Sequence, residues 1–506
     1  MGFFGRKQEP VPPHKRQEPG IDLPLTAENM AAVFGDCADF AMREFDIAGD
    51  AQKRVTACYL GGMVKMERAG DYILRPLAQD ETLRNLPLHQ AFLRMAGGAL
   101  YNLMAQERDD MDGAVADAIA GNLLLFFPGE SKALSFSVGT EEKRSISAPQ
   151  NEPAIKGARD AFVENLRTNT SLVRRHLRAP GLCIREQIVG RQSLTPVDIL
   201  YLDGIANPET VAKVEAQVAK IDIDALLSTG NLEEYLLPAA TRTAFPLALY
   251  TERPDRFCTG LVEGRIGLLM EGLPLGYLVP ADIGVFLRAP QDKSNNWMLA
   301  SVLLVLRYLC LLVTLLLPAF YIAVVTFHPE MLPTRLFLSI IAARRDVPFG
   351  TIFEVLLLLV AFEILQEAGL RLPPSIGQTV SIIGGLVVGT AAVEAKLISP
   401  AVLIVVAGAG IAGYTMPSQE LAGALRIWRF LLAVLAGLGG LWGMVLGVAV
   451  LVLHLAGLES FGVAYLTPFA ANAGAQVEGH AVLRQPLPKV KLRDASLKTP
   501  NRRNQA

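Results

Sequence analysis

The sequence predicts an α/β cytosolic N-terminal region made of two subdomains, followed by an α-helical polytopic membrane domain. Three observations carry that reading. Charge is segregated: of the 47 basic residues in the 506-residue chain, eight (Arg307, Arg335, Arg344, Arg345, Arg371, Lys396, Arg426 and Arg429) fall between Trp297 and Leu458. Short β-type runs alternate with helical stretches from residue 25 to about residue 290. Five apolar stretches then follow, most of them near the roughly 20 residues that a helix needs to cross a bilayer. The near balance of 47 basic against 49 acidic side chains argues against a dedicated nucleic-acid binder.

Residues 1–24 form a charged, proline-containing arm that cannot bury enough apolar surface to fold alone, so disorder is expected there. The arm has no apolar core of signal-peptide length, and nothing is expected to export the region that follows. Gly2 follows the initiator Met, but Arg6 stands where N-myristoylation wants Ser or Thr. Subdomain 1 is expected over 25–145 and subdomain 2 over 146–290, divided at the polar run 139–144. Strand-like runs stand at 55–60, 123–127, 133–138, Leu182–Val189, 197–202, 266–271 and 275–279. Gly272, Leu273 and Pro274 between the last two predict a hairpin. Residues 152–177 predict one long helix. Asn207 before Pro208 and Glu209 predicts a capped helix with proline at its first position, running to about Lys220.

The membrane domain is placed at 291–470 with four to six spans, and a basic cytoplasmic tail at 471–506. Its apolar stretches are 297–327, 351–368, 376–395, 401–416 and 427–457. The first and last are too long to stand upright in a bilayer. Pro318 is placed to kink the first, and Gly437, Gly439, Gly440, Gly443 and Gly447 to break the last. From Arg484 to the end there are seven basic residues and one acid, Asp494, which predicts a cytoplasmic C-terminus. Both ends inside demand an even number of crossings, against five stretches. Either the short fourth is re-entrant, or the segment around 339–346 is partly embedded, or the glycine-rich fifth is two segments.

Catalytic constellations are missing. There is no phosphate loop, no GxGxxG after a strand, no HExxH and no GxSxG, and the six histidines are scattered. No enzymatic activity, cofactor or metal is therefore expected. Cys37, Cys58, Cys183, Cys258 and Cys310 are widely spaced without a CxxC pair, and read as small buried hydrophobes in a reducing compartment. The acids inside the apolar stretches are the sharper signal, because a carboxylate in hydrocarbon costs several kcal/mol unless it faces a bundle interior or a wet cavity. Glu363 and Glu367 share a helix face, while Glu354 points the other way. On one reading Glu363 and Glu367, with Arg307 as counter-charge, line or gate a cation path. On the other, Glu367 pairs with Arg371 and Glu363 is a neutral structural acid. Stripes of small residues, Gly385 with Gly389, Ala409 with Gly413, and Gly439 with Gly443 and Gly447, mark close helix packing within the bundle or between subunits. The basic residues from Arg159 to Arg191 read as a solvated helix face paired with Asp160 and Glu164, or as an anion-binding surface.

Several runs resemble the spore germination protein A family, the GerA-type receptor A subunits. In the soluble region they include Arg159, Glu164, Asn165, Asn169 and Arg174; then Gly204, Asn207 and Pro208; then Glu252 and Arg253; then Glu263, Gly264 and Arg265. In the membrane region they are 362–369, 372–373, 376–378, 391–395 and 460–466. The match covers about residues 50–470; Ala158 and Ala161 depart from the proline and glycine expected there. The resemblance implies a protein of the inner spore membrane of a spore-forming bacterium, acting with a transporter-like B subunit and a lipoprotein C subunit to sense nutrients. It further implies a homo-oligomer of A subunits, embedded in membrane lipids, that releases monovalent cations through a germinant-gated pore. A non-conducting signalling scaffold is the alternative from a different class. The related stage V sporulation protein AF branch shares the soluble motifs, with membrane segments less like these.

Overall fold

The computed structural model describes residues 21–35, 37–99, 105–139, 149, 152, 156–227, 229–371, 389–467, 469 and 483–504. The N-terminal arm up to residue 20, most of the 139–144 run, Gly385 and the motif residues between 372 and 388 lie outside them. The chain divides into two compact units. One takes the residues up to Arg144 together with Thr170–Arg185, and the other takes 145–169 together with everything from Glu186 onward.

In the first unit, helix α1 (Ala27–Phe34) is capped by Thr26, whose hydroxyl accepts from the Asn29 amide at 3.2 Å. Strands β1 (Phe40–Ile47) and β2 (Asp50–Leu60) form a hairpin whose two-residue loop, Ala48 and Gly49, has positive φ at both positions, as a tight right-twisted hairpin requires. Strand β3 (Ala105–Arg108), helix α2 (Met111–Ala120) and strands β4 (Asn122–Phe126) and β5 (Ala133–Ser137) complete an antiparallel sheet of order β1-β2-β4-β5-β3. One face buries Val55, Ala57, Leu123, Leu125, Leu134 and Phe136 under short helices between β2 and β3. The other buries Cys58, Leu60 and Leu124 under Met30, Phe34, Met111 and Val115 of α1 and α2. The sequence reading missed β1 and β3 because both are sheet edges with charged, outward residues such as Arg43, Glu44 and Glu107, which blunt edge pairing and hide the apolar pattern.

Helix α3 is Leu166–His176, and the single helix expected over 152–177 is not formed. Tertiary hydrogen bonds hold the residues before it extended. Phe162 donates its amide to the Glu252 carbonyl (2.8 Å), and the buried Asn169 side chain closes a ring with Val163, accepting its amide at 2.8 Å and donating to its carbonyl at 2.6 Å. Asn165 then starts the helix by accepting from the Thr168 amide (2.9 Å), and Glu271 accepts from the Leu166 amide (2.7 Å). Replacing Asn169 with Ala orphans both Val163 groups; we expect a loss of about 2 kcal/mol, read as a lower denaturant midpoint at unchanged slope.

Strands β6 (Leu182–Val189), β7 (Thr195–Leu202), β8 (Leu249–Thr251), β9 (Ile266–Met270) and β10 (Gly276–Val279) build a second sheet of order β6-β7-β9-β10-β8. The expected β9–β10 hairpin forms, pairing Tyr277 with Leu268. Helix α4 (Pro208–Ala219) starts at Asn207, whose side chain accepts from the Glu209 amide at 3.0 Å. Helices α5 (Thr229–Leu236), α6 (Pro254–Glu263) and the short α7 (Pro290–Ser294) follow.

Among the described residues five further helices form an apolar bundle: α8 (Trp297–Phe327), α9 (Thr334–Arg344), α10 (Thr351–Arg371), α11 (Pro400–Gly413) and α12 (Gln419–Ala456). Of these, α8 and α12 are long and apolar enough to cross a membrane. Trp442 at 81% and Leu438 at 77% exposure would be costly in water and suit lipid. The 31 residues of α8 extend about 46 Å, against a hydrocarbon core of roughly 30 Å. The excess lies at its N-terminal end, where Ser301 donates to the Arg484 carbonyl (3.1 Å) and Arg307 pairs with Asp292 of α7. That leaves residues 308–327 for the bilayer.

Helix α12 is two antiparallel limbs, 419–439 and 441–456. Gly440 turns the chain with φ 58° and ψ −140°, a conformation an L side chain strains to adopt. Three pairs on either side of it meet: the Trp428 and His454 rings at 5.7 Å, Gly447 with Leu432, and Gly443 with the Leu435 carbonyl. The fifth apolar stretch is thus two segments. Ile352 packs on Gly437 and Glu363 bonds Arg426, so α10 runs antiparallel to the first limb; α11 runs antiparallel to α8, with Thr314 donating to the Ala409 carbonyl at 3.2 Å. The chain leaves α10 at the end nearest the sheet of this unit and is next described approaching Lys396, which pairs with Asp346 at the Gly440 end. Among the described residues the bundle has five passages, and the tail returns to the sheet side: Arg484 donates to the carbonyls of Asn295 (3.0 Å) and Lys293 (3.1 Å), and Arg493 to that of Val262 (2.7 Å).

Candidate functional site

Two helices build the charged centre of the bundle. Glu363 of α10 accepts from Arg426 of α12 at 2.6 Å, and Arg429, one turn on, stands 4.0 Å from its second oxygen. Gln366, one turn from Glu363, gives Arg426 a further acceptor at 3.1 Å. Glu363 lies 11 residues from Ile352, which packs on Gly437; at 1.5 Å per residue that is about 16 Å along the helix, well inside the apolar layer. Arg429 is 5% exposed, and its Nε, like Glu363 Oε2, has no hydrogen-bond partner among the described residues. One carboxylate facing two guanidiniums leaves a net positive charge in a setting where an uncompensated charge costs several kcal/mol. Removing Glu363 would leave both arginines exposed to that cost.

The counter-charge of Glu363 is therefore not Arg307. That guanidinium turns back to the sheet side, bonding both Asp292 oxygens (2.5 and 2.9 Å) and the Leu287 carbonyl (3.1 Å). Gln366 rather than Glu367 shares Arg426, and Glu367 is exposed. Glu354 faces elsewhere, as its spacing predicts: fully buried, it accepts from Arg344 (3.2 Å) and from the Ser399 amide (2.8 Å), tying α9, α10 and the start of α11 together. Sequence reasoning counted Arg426 and Arg429 but did not pair them with Glu363. Two cations three residues apart in an otherwise apolar stretch were the available signal.

The glycines do different work. A Cβ on Gly389 would come within 3.0 Å of Leu403, and Gly443 and Gly447 let the limbs of α12 meet, whereas the Cβ position of Gly439 is open. Gly439 therefore packs against nothing among the described residues. The residue that makes the hairpin is Gly440, where a Cβ would lie 3.0 Å from Phe327 and 3.3 Å from His328.

The soluble motif residues do not converge on Glu363; they hold the fold. Arg159, Glu164 and Gly204 are exposed, the carbonyl of Glu164 accepting from Gly272 and Gly204 turning the chain at φ 73°. Arg253 is buried on Asp255 (2.7 and 3.0 Å), next to Glu252, whose carbonyl holds Phe162. Gly264 ends α6 with φ 103°, where a Cβ would strike Thr499 of the tail. Arg265 is buried on Asp282 at 2.7 Å. Burial would raise the Glu263 carboxyl, but Lys293 and Arg265 outweigh it and bring the group down to about 2. Nor are the basic residues from Arg159 to Arg191 one solvated face paired with Asp160 and Glu164. Arg174 is buried on Asp39, and Arg191 pairs with Asp222.

Mechanical links run from the sheet of this unit into the bundle. Thr243 hydrogen-bonds the His454 ring (2.9 Å) at the end of α12, Ser460 donates to the Leu247 carbonyl (2.9 Å) and accepts from the Ala281 amide (3.2 Å), and Ile283 donates to the Tyr465 carbonyl (2.9 Å). A displacement of the sheet would reach α12, and with it Arg426 and Arg429.

Residues 28–496 match the family model described as Bacillus/Clostridium GerA spore germination protein. The chain is 38% identical to uncharacterized membrane protein YfkQ of Bacillus subtilis (strain 168), over 90% of this chain and 88% of that one. It is 34% identical to spore germination protein KA of the same organism, over 90% and 84%. Among solved structures, the N-terminal domain of the A subunit of the Bacillus megaterium spore germinant receptor GerK3 is similar at 26% identity, with a TM-score of 0.40, covering 50% of this chain and 92% of that one.

Proposed function

The chain belongs to the Bacillus/Clostridium GerA spore germination protein family, and from that premise we propose that it is the A subunit of a nutrient-responsive germination receptor, in which it oligomerises and conducts or gates monovalent cations. On this reading it resides in the inner spore membrane beside a transporter-like B subunit and a lipoprotein C subunit, with its sheets and its basic tail in the cytoplasm. The return of the tail to the sheet side agrees with that orientation, as does the positive charge of the tail. The proposal includes no enzymatic step and no cofactor.

The observation that carries it is the Glu363–Arg426 pair within the bundle. While Arg426 holds Glu363, that carboxylate is neutralised and two guanidiniums repel cations. A shift of α12, driven through Thr243 and Ser460, would separate the pair and leave Glu363 free to face a passing cation. Reconstituting the chain with its B and C subunits and measuring nutrient-triggered potassium flux tests this. Glu363→Gln is expected to lower triggered flux by about tenfold or more, the effect of losing ~1.4 kcal/mol of cation attraction. Arg426→Gln, which frees the carboxylate, should raise flux without nutrient. Flux indifferent to both removes this pair from the mechanism.

The excess of guanidinium over carboxylate favours a second reading, a non-conducting scaffold that passes a signal from its partners to another channel. In that case the assembled oligomer has no continuous wet path, and potassium flux requires an added protein. Genes for B and C subunits next to this one would separate the receptor subunit from the stage V AF branch.

A further inference from the structure

Cys37 and Cys183 are 146 positions apart in sequence, yet the first unit sets them side by side. The Ala38 amide donates to the Ile184 carbonyl at 2.8 Å, and the Cys37 thiol donates to the Leu182 carbonyl at 3.6 Å. The two thiols lie within hydrogen-bonding reach of each other. Beside them is the buried Arg174. Its guanidinium uses Nε and Nη2 on Asp39, at 2.8 and 2.9 Å, and leaves Nη1 buried without a hydrogen-bond acceptor among the described residues. A neutral thiol does little for that orphaned donor, whereas a thiolate satisfies it.

We propose that Cys37 and Cys183 form a peroxide-reactive dithiol, with Cys37 as the attacking thiolate and Cys183 as the resolving thiol. The Cys37 thiolate attacks one oxygen of hydrogen peroxide, the O–O bond breaks, and the departing hydroxide takes a proton to leave as water, giving a sulfenic acid. The Cys183 sulfur then attacks the Cys37 sulfur, its proton leaving with the displaced hydroxide as a second water, and a disulfide remains. Two thiols are oxidised as one peroxide is reduced to two waters. The Cys183 hydrogen bond and the Arg174 charge, acting against burial, bring the Cys37 thiol down to about 6. Cys58 and Cys258 provide internal contrast, since burial alone is the leading influence on each and pushes it up to about 12. No disulfide joins any of the five cysteines in this state, and Cys183 is part-exposed, which gives peroxide a way in.

The test uses the detergent-solubilised full chain, treated with hydrogen peroxide, quenched with an alkylating agent and mapped by peptide mass spectrometry. A Cys37–Cys183 cross-linked peptide is expected at peroxide levels that leave Cys58 and Cys258 reduced. Cys183→Ser should stop the reaction at a dimedone-reactive Cys37. A second measurement needs no variant: the alkylation rate of Cys37 should rise with a midpoint near pH 6 and exceed that of Cys58 by at least about tenfold at pH 7. Cys37 alkylated no faster than Cys58, or oxidised without a Cys183 cross-link, overturns the proposal.

Discussion

Arg174→Leu is expected to destabilise the first unit by about 3–5 kcal/mol, the cost of leaving a buried carboxylate without its partner. Arg174 is fully buried, Asp39 is 4% exposed, and the two are joined by a bidentate pair with the Phe34 ring 5.9 Å from the guanidinium carbon. Asp39 must then either keep a charge in the core or take up a proton, and both are unfavourable near neutral pH. The double replacement Arg174→Leu with Asp39→Leu should recover most of the loss, because it removes both desolvation costs together. Alkylation of Cys58, buried in the same core, reports the denaturant midpoint of this unit within the full chain. A single variant as stable as the parent, or a double variant no better than the single, contradicts this account of the pair.

How much of this was legible in the sequence depends on whether the local signal and the tertiary one agree. Strands β4 and β9 read correctly because both their faces are buried and their residues run apolar after Asn122 and from Ile266, and β5 and β7 read correctly although Ser135 and Asp198 interrupt their apolar runs. Residues 156–165 misread as helix because their composition is helical, whereas a hydrogen bond to Glu252 and the Asn169 ring hold them extended. The first of those partners lies about ninety residues away in the chain. The apolar pattern located α8 to the residue but could not show that its first third runs beside α7, and so it placed Arg307 in the bilayer with Glu363. The glycine cluster announced a break in α12. Which glycine turns the chain depends on φ, and which ones allow contact depends on the opposite limb; neither is written in the spacing.

Those two roles separate in a single comparison. Gly439 and Gly443 belong to one stripe, and spacing alone assigns them the same function. Gly443→Ala places a methyl group against the Leu435 carbonyl oxygen, a backbone atom that no rotamer change can move. The limbs of α12 would have to part, and with them the contact between Gly447 and Leu432; the expected cost is about 3 kcal/mol. Gly439→Ala meets nothing within 4 Å, and in a helical position should gain up to about 1 kcal/mol by restricting the unfolded chain. Thermal stability of the solubilised full chain, read by loss of the monodisperse peak on size-exclusion chromatography, should fall for Gly443→Ala and hold or rise for Gly439→Ala. Equal losses at both positions would mean that the stripe packs against another helix as a unit. The antiparallel hairpin would then be wrong.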